Sequence, residues 1–362
     1  MHRAFFLSFF IFSLSFYTSP FYAQSAFPLE SVEPQTKGFS REKLDSLSLF
    51  LNEAGSSALM ILVDGKVVYE WGATDEKLLV HSIRKALINS LYGIYVDKGV
   101  IDTTATLKDL KIDSLEQGLT EKELSATVAD LLKSRSGVYR SAAAVNAAML
   151  RNMPEKGSHE PGTYYYYNNW DFNTLGHILE SRTGKSLYDL FYEHIAKPLG
   201  MDYANEHIKI YDPEDDMRIP DVDGFYQYES EKSVFPAYHF RLSARDLALY
   251  GQLWLNKGKW QGEQLIPESW IEVSTKAYSM INPSYGIGYG MLWNVLVPNE
   301  DRKSKSFFHT GVGIHMLGVY PESNLVLVHR VDTEKDYDFQ ERHFYQMISK
   351  VWGSKITSGT SE

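Results

Sequence analysis

The sequence predicts a mixed α/β (α+β) protein in which one antiparallel sheet is assembled from both ends of the chain around a long helical insert. Three observations predict it. Ala58 to Val63 and Lys66 to Trp71 are apolar-rich runs joined by Asp64-Gly65, a dipeptide that favours the positive backbone angles of a type I′ hairpin. Near the other end, Tyr289 to Val297, Ile314 to Tyr320 and Leu325 to Val331 have strand composition, the last two joined by Pro321-Glu322-Ser323-Asn324. Between them, from about Asp102 to Met280, the pattern is mostly helical and broken by loops such as Tyr211 to Pro236, rich in Asp, Pro and Tyr. Strands flanking a helical insert place the terminal strands in one sheet and make the insert a second lobe. At 362 residues the chain is long enough for two packed lobes. The expected unit runs over 38–355, its sheet lobe from 38–101 and 281–355 and its helical lobe from 102–280.

Each element has a local reason. Residues 1–26 carry Arg3, an apolar stretch from Ala4 to Tyr17, then the small residues around Ala23-Gln24-Ser25-Ala26, the layout of a secretory signal peptide. That stretch is shorter than the roughly 20 residues a permanent membrane helix needs. The expected location is therefore periplasmic or secreted, with no stable membrane insertion after the signal is removed; an uncleaved anchor is the alternative. Ser40 is placed to cap a helix whose stripe is Leu44, Leu47, Phe50 and Leu51. From Ser82 to Asp97 the period is again helical, with Gly99 placed to end it. A helix from about Tyr337 to Trp352 closes the chain.

Composition excludes several functions. The formal charge is −10 with no Lys/Arg-rich run, so a nucleic-acid partner is not expected. With no cysteine there is no disulfide, no thiol nucleophile and no lipoprotein attachment site. Neither His-Glu-x-x-His nor a Cys/His cluster occurs, so no metal or other cofactor is expected. Gly-x-Ser-x-Gly is also missing. Gly286-Ile287-Gly288-Tyr289-Gly290 runs into strand-like sequence and reads as the start of a strand rather than a phosphate loop.

Three motifs occur in order: Ser82-Ile83-Arg84-Lys85, Tyr167-Asn168-Asn169 and His309-Thr310-Gly311. Residues three apart on a helix share a face, so Lys85 reaches the Ser82 hydroxyl. A lysine desolvated by burial can take the hydroxyl proton and make a nucleophile of it. The unpaired N–H groups at the helix start can hold an oxyanion. Ser40-Arg41-Glu42-Lys43 repeats the first motif, but Ser40 already has a capping role. Tyr203-Ala204-Asn205 and Arg182-Thr183-Gly184 are competing copies of the other two, the last reading as a helix end. Arg84 is expected to face solvent on the first helical turn.

Taken together the motifs resemble the active-site set of the class C β-lactamase and penicillin-binding-protein-like serine hydrolases, with their related esterases, amidases and aminohexanoate-oligomer hydrolases. Leu131-Leu132-Lys133-Ser134-Arg135-Ser136-Gly137, Pro161-Gly162-Thr163, Leu175 to Glu180, Pro198 to Met201 and Ser243 to Ala248 continue the resemblance over roughly Ser40 to Val351. It implies a β-lactamase/transpeptidase-like fold, an antiparallel sheet flanked by terminal helices plus a mostly helical lobe, with the active site between them. It also implies catalytic Ser82, Lys85 and Tyr167, Tyr167 being a second acid/base group whose proton is loosened by the Lys85 cation. Asn169 would position a substrate amide. His309, Thr310 and Gly311 would form an edge strand beside the cleft, and the Val312 N–H would join that of Ser82 as an oxyanion hole.

His309 is the departure. Lactamases and D,D-peptidases usually carry lysine there to hold a substrate carboxylate, whereas a histidine is mostly neutral at pH 7. The expectation is an acyl-enzyme hydrolase of small-molecule or short-peptide esters and amides. D,D-peptidase or β-lactamase activity is the first alternative and a non-catalytic cell-envelope peptide-binding or sensor protein the second. Oligomeric state is not legible.

Overall fold

The structure is a computed structural model that describes residues 27–214, 217–300 and 302–356. The expected signal peptide, 1–26, lies outside the described residues. No helix among the described residues is long and apolar enough to cross a membrane.

The hairpin expected from Asp64-Gly65 forms between strands Ala58–Val63 and Lys66–Gly72, with positive φ at both turn residues (52° and 73°). Ala58–Val63 then pairs antiparallel with Leu325–Arg330 from the far end of the chain, which joins the two termini in one eight-stranded sheet. Continuing outward come His315–Tyr320, Ser306–Gly311, Asn294–Leu296, Ile287–Tyr289 and Ser279–Asn282. The period-two alternation of the central strands serves two cores. Leu59, Ile61, Leu325 and Leu327 pack under the terminal helices Arg41–Ala54 and Glu341–Gly353, against Leu44, Leu47, Leu51, Met347 and Val351. Met60, Leu62, Val326 and Val328 join the core on the opposite face, where the helix Ala244–Leu255 lies on the sheet. Covered on both faces, these strands read as continuous apolar runs. Gly251 lets the helix come close: a Cβ there would stand 2.6 Å from a Val326 methyl.

The sequence reading needs correction in three places. The long middle is not only helical: His207–Tyr211, Gly224–Tyr228 and Ala237–Leu242 form a second sheet with Leu78–Leu79, and two of these strands fall at or within the stretch expected to be the Tyr211 to Pro236 loop. Their apolar residues are aromatic and interrupted by Asp, Pro and Ser, which reads as turn composition. Tyr289 to Val297 is two short strands rather than one, because the chain turns over at Leu292 (φ 60°). Ser279–Asn282 and Phe307–Phe308 were not legible as strands by composition.

Arg330 ties the two sheets together. Its fully buried guanidinium donates to the carbonyls of Leu242 and Leu78 and, through Nε, to His315 Nδ1 at 3.0 Å. The stretch that leads from Leu78–Leu79 into Ser82 is thereby held against the end of the Leu325–Arg330 strand.

Candidate active site

Ser82 lies in a tight 3₁₀ turn, His81–Ile83, and the α-helix proper starts at Arg84 and runs to Asp97. In a 3₁₀ turn residues i and i+3 eclipse, so Ser82 and Lys85 still stand one above the other. The turn is entered through His81 at φ 48°, a left-handed conformation that costs a non-glycine residue of order 1 kcal/mol or more and persists only where neighbours enforce it. They do: the His81 ring is fixed by Nε2 to Thr333 Oγ1 at 2.7 Å and lies 5.3 Å from the His315 ring. Gly311 presses on the other side, where a Cβ would meet the Val80 carbonyl at 2.8 Å and stand 3.4 Å from the Ser82 nitrogen. Only glycine brings that strand this close to the Ser82 turn.

Lys85 Nζ donates to Ser82 Oγ at 3.0 Å. The side chain is 1% exposed, makes no ion pair among the described residues, and lies between the rings of Tyr167 and Phe172, 5.0 and 4.9 Å from their centroids. Two ring faces favour an ammonium by about 1 kcal/mol each, while full burial of an unpaired charge costs several. Burial wins, and with the Arg84 charge beside it holds Lys85 well below the ordinary lysine range. The amine is therefore free to accept a proton.

Tyr167 lies just before Asn168, the N-cap of helix Asn169–Thr183, with its phenol within hydrogen-bonding reach of Ser82. Burial pushes that phenol up to about 12, against the Ser82 hydrogen bond and the Arg84 charge, which pull it down. Burial thus outweighs any loosening of the Tyr167 proton by a neighbouring cation, and the phenol keeps its proton near neutrality. The three preceding tyrosines pack instead: Tyr164 stacks on His159, Tyr165 meets Tyr289, and the Tyr166 hydroxyl donates to the Met149 carbonyl. Asn169 is buried and donates to the Ala144 carbonyl at 2.6 Å, leaving its Oδ1 without a partner, so it braces the 144–149 loop and makes no direct bond to Ser82.

His309, Thr310 and Gly311 end the Ser306–Gly311 strand. That strand lies inside the sheet, yet its pairing with Asn294–Leu296 stops at Phe308, so residues 309–311 form a local edge that packs on the Ser82 turn. Val312 follows, exposed, in a turn kept open by Gly313 and Ile314 at φ 76° and 62°. His309 is 2% exposed and its Nδ1 donates to the Thr310 carbonyl at 2.8 Å. A ring nitrogen facing a carbonyl carries the hydrogen, so Nε2, which has no partner, is an acceptor. Burial, chiefly, pushes His309 down to about 3, so it is neutral.

The competing motif copies have other roles. Ser40 caps its helix, Gly184 ends another at φ 70°, and Asn205 is bonded to Asp189. No cluster of metal-ligating side chains occurs among the described residues. Arg84 is the residue sequence reasoning misplaced: it is 4% exposed, not solvent-facing, with Nε and Nη2 buried and unpartnered. A signal was present. From Ile83 to Ile94 apolar residues fall on every face of the helix, the mark of a helix with no solvent side.

The family described as Beta-lactamase matches residues 51–348. The chain belongs to the beta-lactamase family. Among solved structures it is similar to one titled "Putative 6-aminohexanoate-dimer hydrolase from Bacillus anthracis" (TM-score 0.66, 20% identity, 91% of this chain and 88% of that one). It is also similar to a D-stereospecific amidohydrolase from Streptomyces sp. (TM-score 0.61, 16% identity, 85% and 96%). Among curated proteins it is 31% identical over 173 residues to the D-aminopeptidase of Brucella anthropi, covering 41% of this chain and 32% of that protein. The chain spans about half the length, or less, of the curated relatives it matches. The expected β-lactamase/transpeptidase-like fold, an antiparallel sheet with terminal helices and a second lobe, is the one observed.

The buried histidines make stability depend on pH. His309 is pushed down to about 3 and His329 to about 4, chiefly by burial. Both are ordinary, near 6.5, once unfolded. The unfolded chain then binds more protons below pH 6.5, so stability present above that value is lost as pH falls toward 4 and 3. The expected loss by pH 5 is on the order of 2 kcal/mol per histidine. Urea midpoints at pH 7 and pH 5 measure it, and His329→Gln should narrow the gap between them.

Proposed function

We propose that the chain is an exported serine hydrolase that cleaves an amide or ester bond through an acyl-enzyme on Ser82. The observation that carries this reading is the 3.0 Å contact between Lys85 Nζ and Ser82 Oγ, made by a buried lysine with no carboxylate partner among the described residues. Lys85 takes the Ser82 proton as Oγ attacks the carbonyl carbon. The negative charge that develops on the carbonyl oxygen is met by the Ser82 and Val312 N–H groups, the first of which belongs to a turn whose leading N–H groups have no internal partner. The Tyr167 phenol, protonated at rest, donates to the leaving nitrogen or oxygen as the carbonyl re-forms, and takes back a proton from Lys85. Water then repeats the attack on the acyl-Ser82 ester and releases the acid. No metal or cofactor takes part in these steps.

Neutral His309, an acceptor at Nε2, offers a substrate carboxylate no charge and no hydrogen. This ranks simple esters and amides above D-amino-acid peptides, and those above penicillins. The names of the D-aminopeptidase and amidohydrolase relatives favour amide bonds. A panel of activated esters, anilides, D-amino-acid amides and benzylpenicillin checks the ranking: kcat/KM is expected to be at least about tenfold higher for the uncharged esters and amides, as loss of one charged contact implies. Efficient penicillin turnover beside inert esters and amides would contradict it.

A further inference from the structure

Two cationic residues are adjacent in the chain and buried together behind Ser82. Arg84 is 4% exposed, and two of its three nitrogens are enclosed without any hydrogen-bond partner. Its only aromatic or ionic contact among the described residues is with the Tyr238 ring, 5.5 Å from the guanidinium carbon. Lys85, the next residue, is 1% exposed and equally without a carboxylate.

No carboxylate is bonded to Lys85 or Arg84 among the described residues; the Asn169 helix does carry buried Asp171, but its carboxyl is bonded to Ser136 and Asn168 and burial pushes it well above the usual carboxylate range. On the turn that carries Lys85 are Ser82, Arg84 and His81, the last tied to Thr333. From the Asn169 helix and its approach come Tyr167 and Phe172, and from the Ser306–Gly311 strand comes His309, whose free nitrogen is an acceptor. From Ala237–Leu242 come Tyr238 against Arg84 and His239, which is bonded to Gln227. An interior of low dielectric with no anion does not hold two neighbouring unit charges. A guanidinium does not give up its proton in proteins, whereas an ammonium does.

We propose that Arg84 is an electrostatic positioning residue: a permanent buried cation that compels Lys85 to stand as the free amine Ser82 needs. In this role Arg84 acts through Lys85. Burial keeps His81, His309 and His239 neutral, and the Arg84 charge adds to it in the same direction. The role rests on the acyl-enzyme reading above.

The test is the pH dependence, from pH 5 to 10, of the second-order rate at which a fluorophosphonate labels Ser82, in the wild type, Arg84→Lys and Arg84→Gln. In the wild type the rate falls on the acid side as Lys85 gains a proton. Arg84→Gln should move that limb up by about one pH unit or more, a tenfold loss on the acid side, and leave the alkaline plateau within a few-fold. Arg84→Lys should fall between the two, because a second buried ammonium can share the deprotonation. An unshifted limb with the whole profile lowered would make Arg84 merely structural and overturn the proposal. If the Gln variant does not fold, Arg84→Met, which fills similar space, gives the same reading, and melting curves verify each variant. Absence of wild-type labelling would instead sink the hydrolase reading, so the two failures are distinguishable.

Discussion

Ser82→Ala is expected to lower kcat/KM for an activated ester by at least about 10⁴-fold, with whatever remains coming from binding and the oxyanion donors. The substitution removes one oxygen from a position the fold holds on three sides: His81 strained into φ 48°, Gly311 against the Val80 carbonyl, and Lys85 at 3.0 Å. The first two do not depend on the hydroxyl, so the turn should keep its shape and the site still bind substrate. Equilibrium binding of the same ester to the alanine variant, with KM-like affinity and no turnover, is the measurement that separates lost chemistry from lost structure.

Lys85→Met is expected to cost about 10²–10⁴-fold in kcat/KM at pH 7, the usual worth of a positioned general base. Stability should move the other way. The folded protein holds Lys85 as an amine under a burial penalty, while the unfolded chain holds it as a solvated ammonium. Methionine fills the same space between Tyr167 and Phe172 without that penalty, and a gain of roughly 1–3 kcal/mol is expected. Kinetics and chemical denaturation on one preparation check both signs. A variant that loses activity and stability together would place Lys85 in packing rather than in chemistry.

Much of this was legible in the chain because the relevant signals are local. Asp64-Gly65 specified its hairpin, Ser40 its cap, and the spacing of Ser82 and Lys85 their shared face. The order of three weak motifs was enough to bring residues 82, 167 and 309–311, from separate parts of the chain, to one place. What escaped depends on tertiary surroundings. The second sheet is built from aromatic strands whose apolar character is broken by turn residues, and its pairing with Leu78–Leu79 spans more than a hundred residues. The protonation of Tyr167 could not be read because it follows from the burial of the phenol. Arg84 was misplaced for the same reason: a first-turn arginine usually reaches water, and only the all-round apolar character of the helix after it says otherwise.

His309 ties these points to substrate choice. Its tautomer is set by one bond to the Thr310 carbonyl, and its neutrality by burial beside Lys85 and Arg84. The positive charge in this site is therefore internal, placed behind the nucleophile rather than in front of a substrate carboxylate. That arrangement suits a site that needs a free amine more than an anion clamp.

Intact-protein mass spectrometry after rapid acid quench of the enzyme with a slowly deacylating ester reads the acyl-enzyme on Ser82 directly. A mass increase equal to the acyl group is expected, mapped by proteolysis to the peptide containing Ser82 and missing from Ser82→Ala. Turnover of the ester with no such adduct, and undiminished in the alanine variant, would contradict the acyl-enzyme reading.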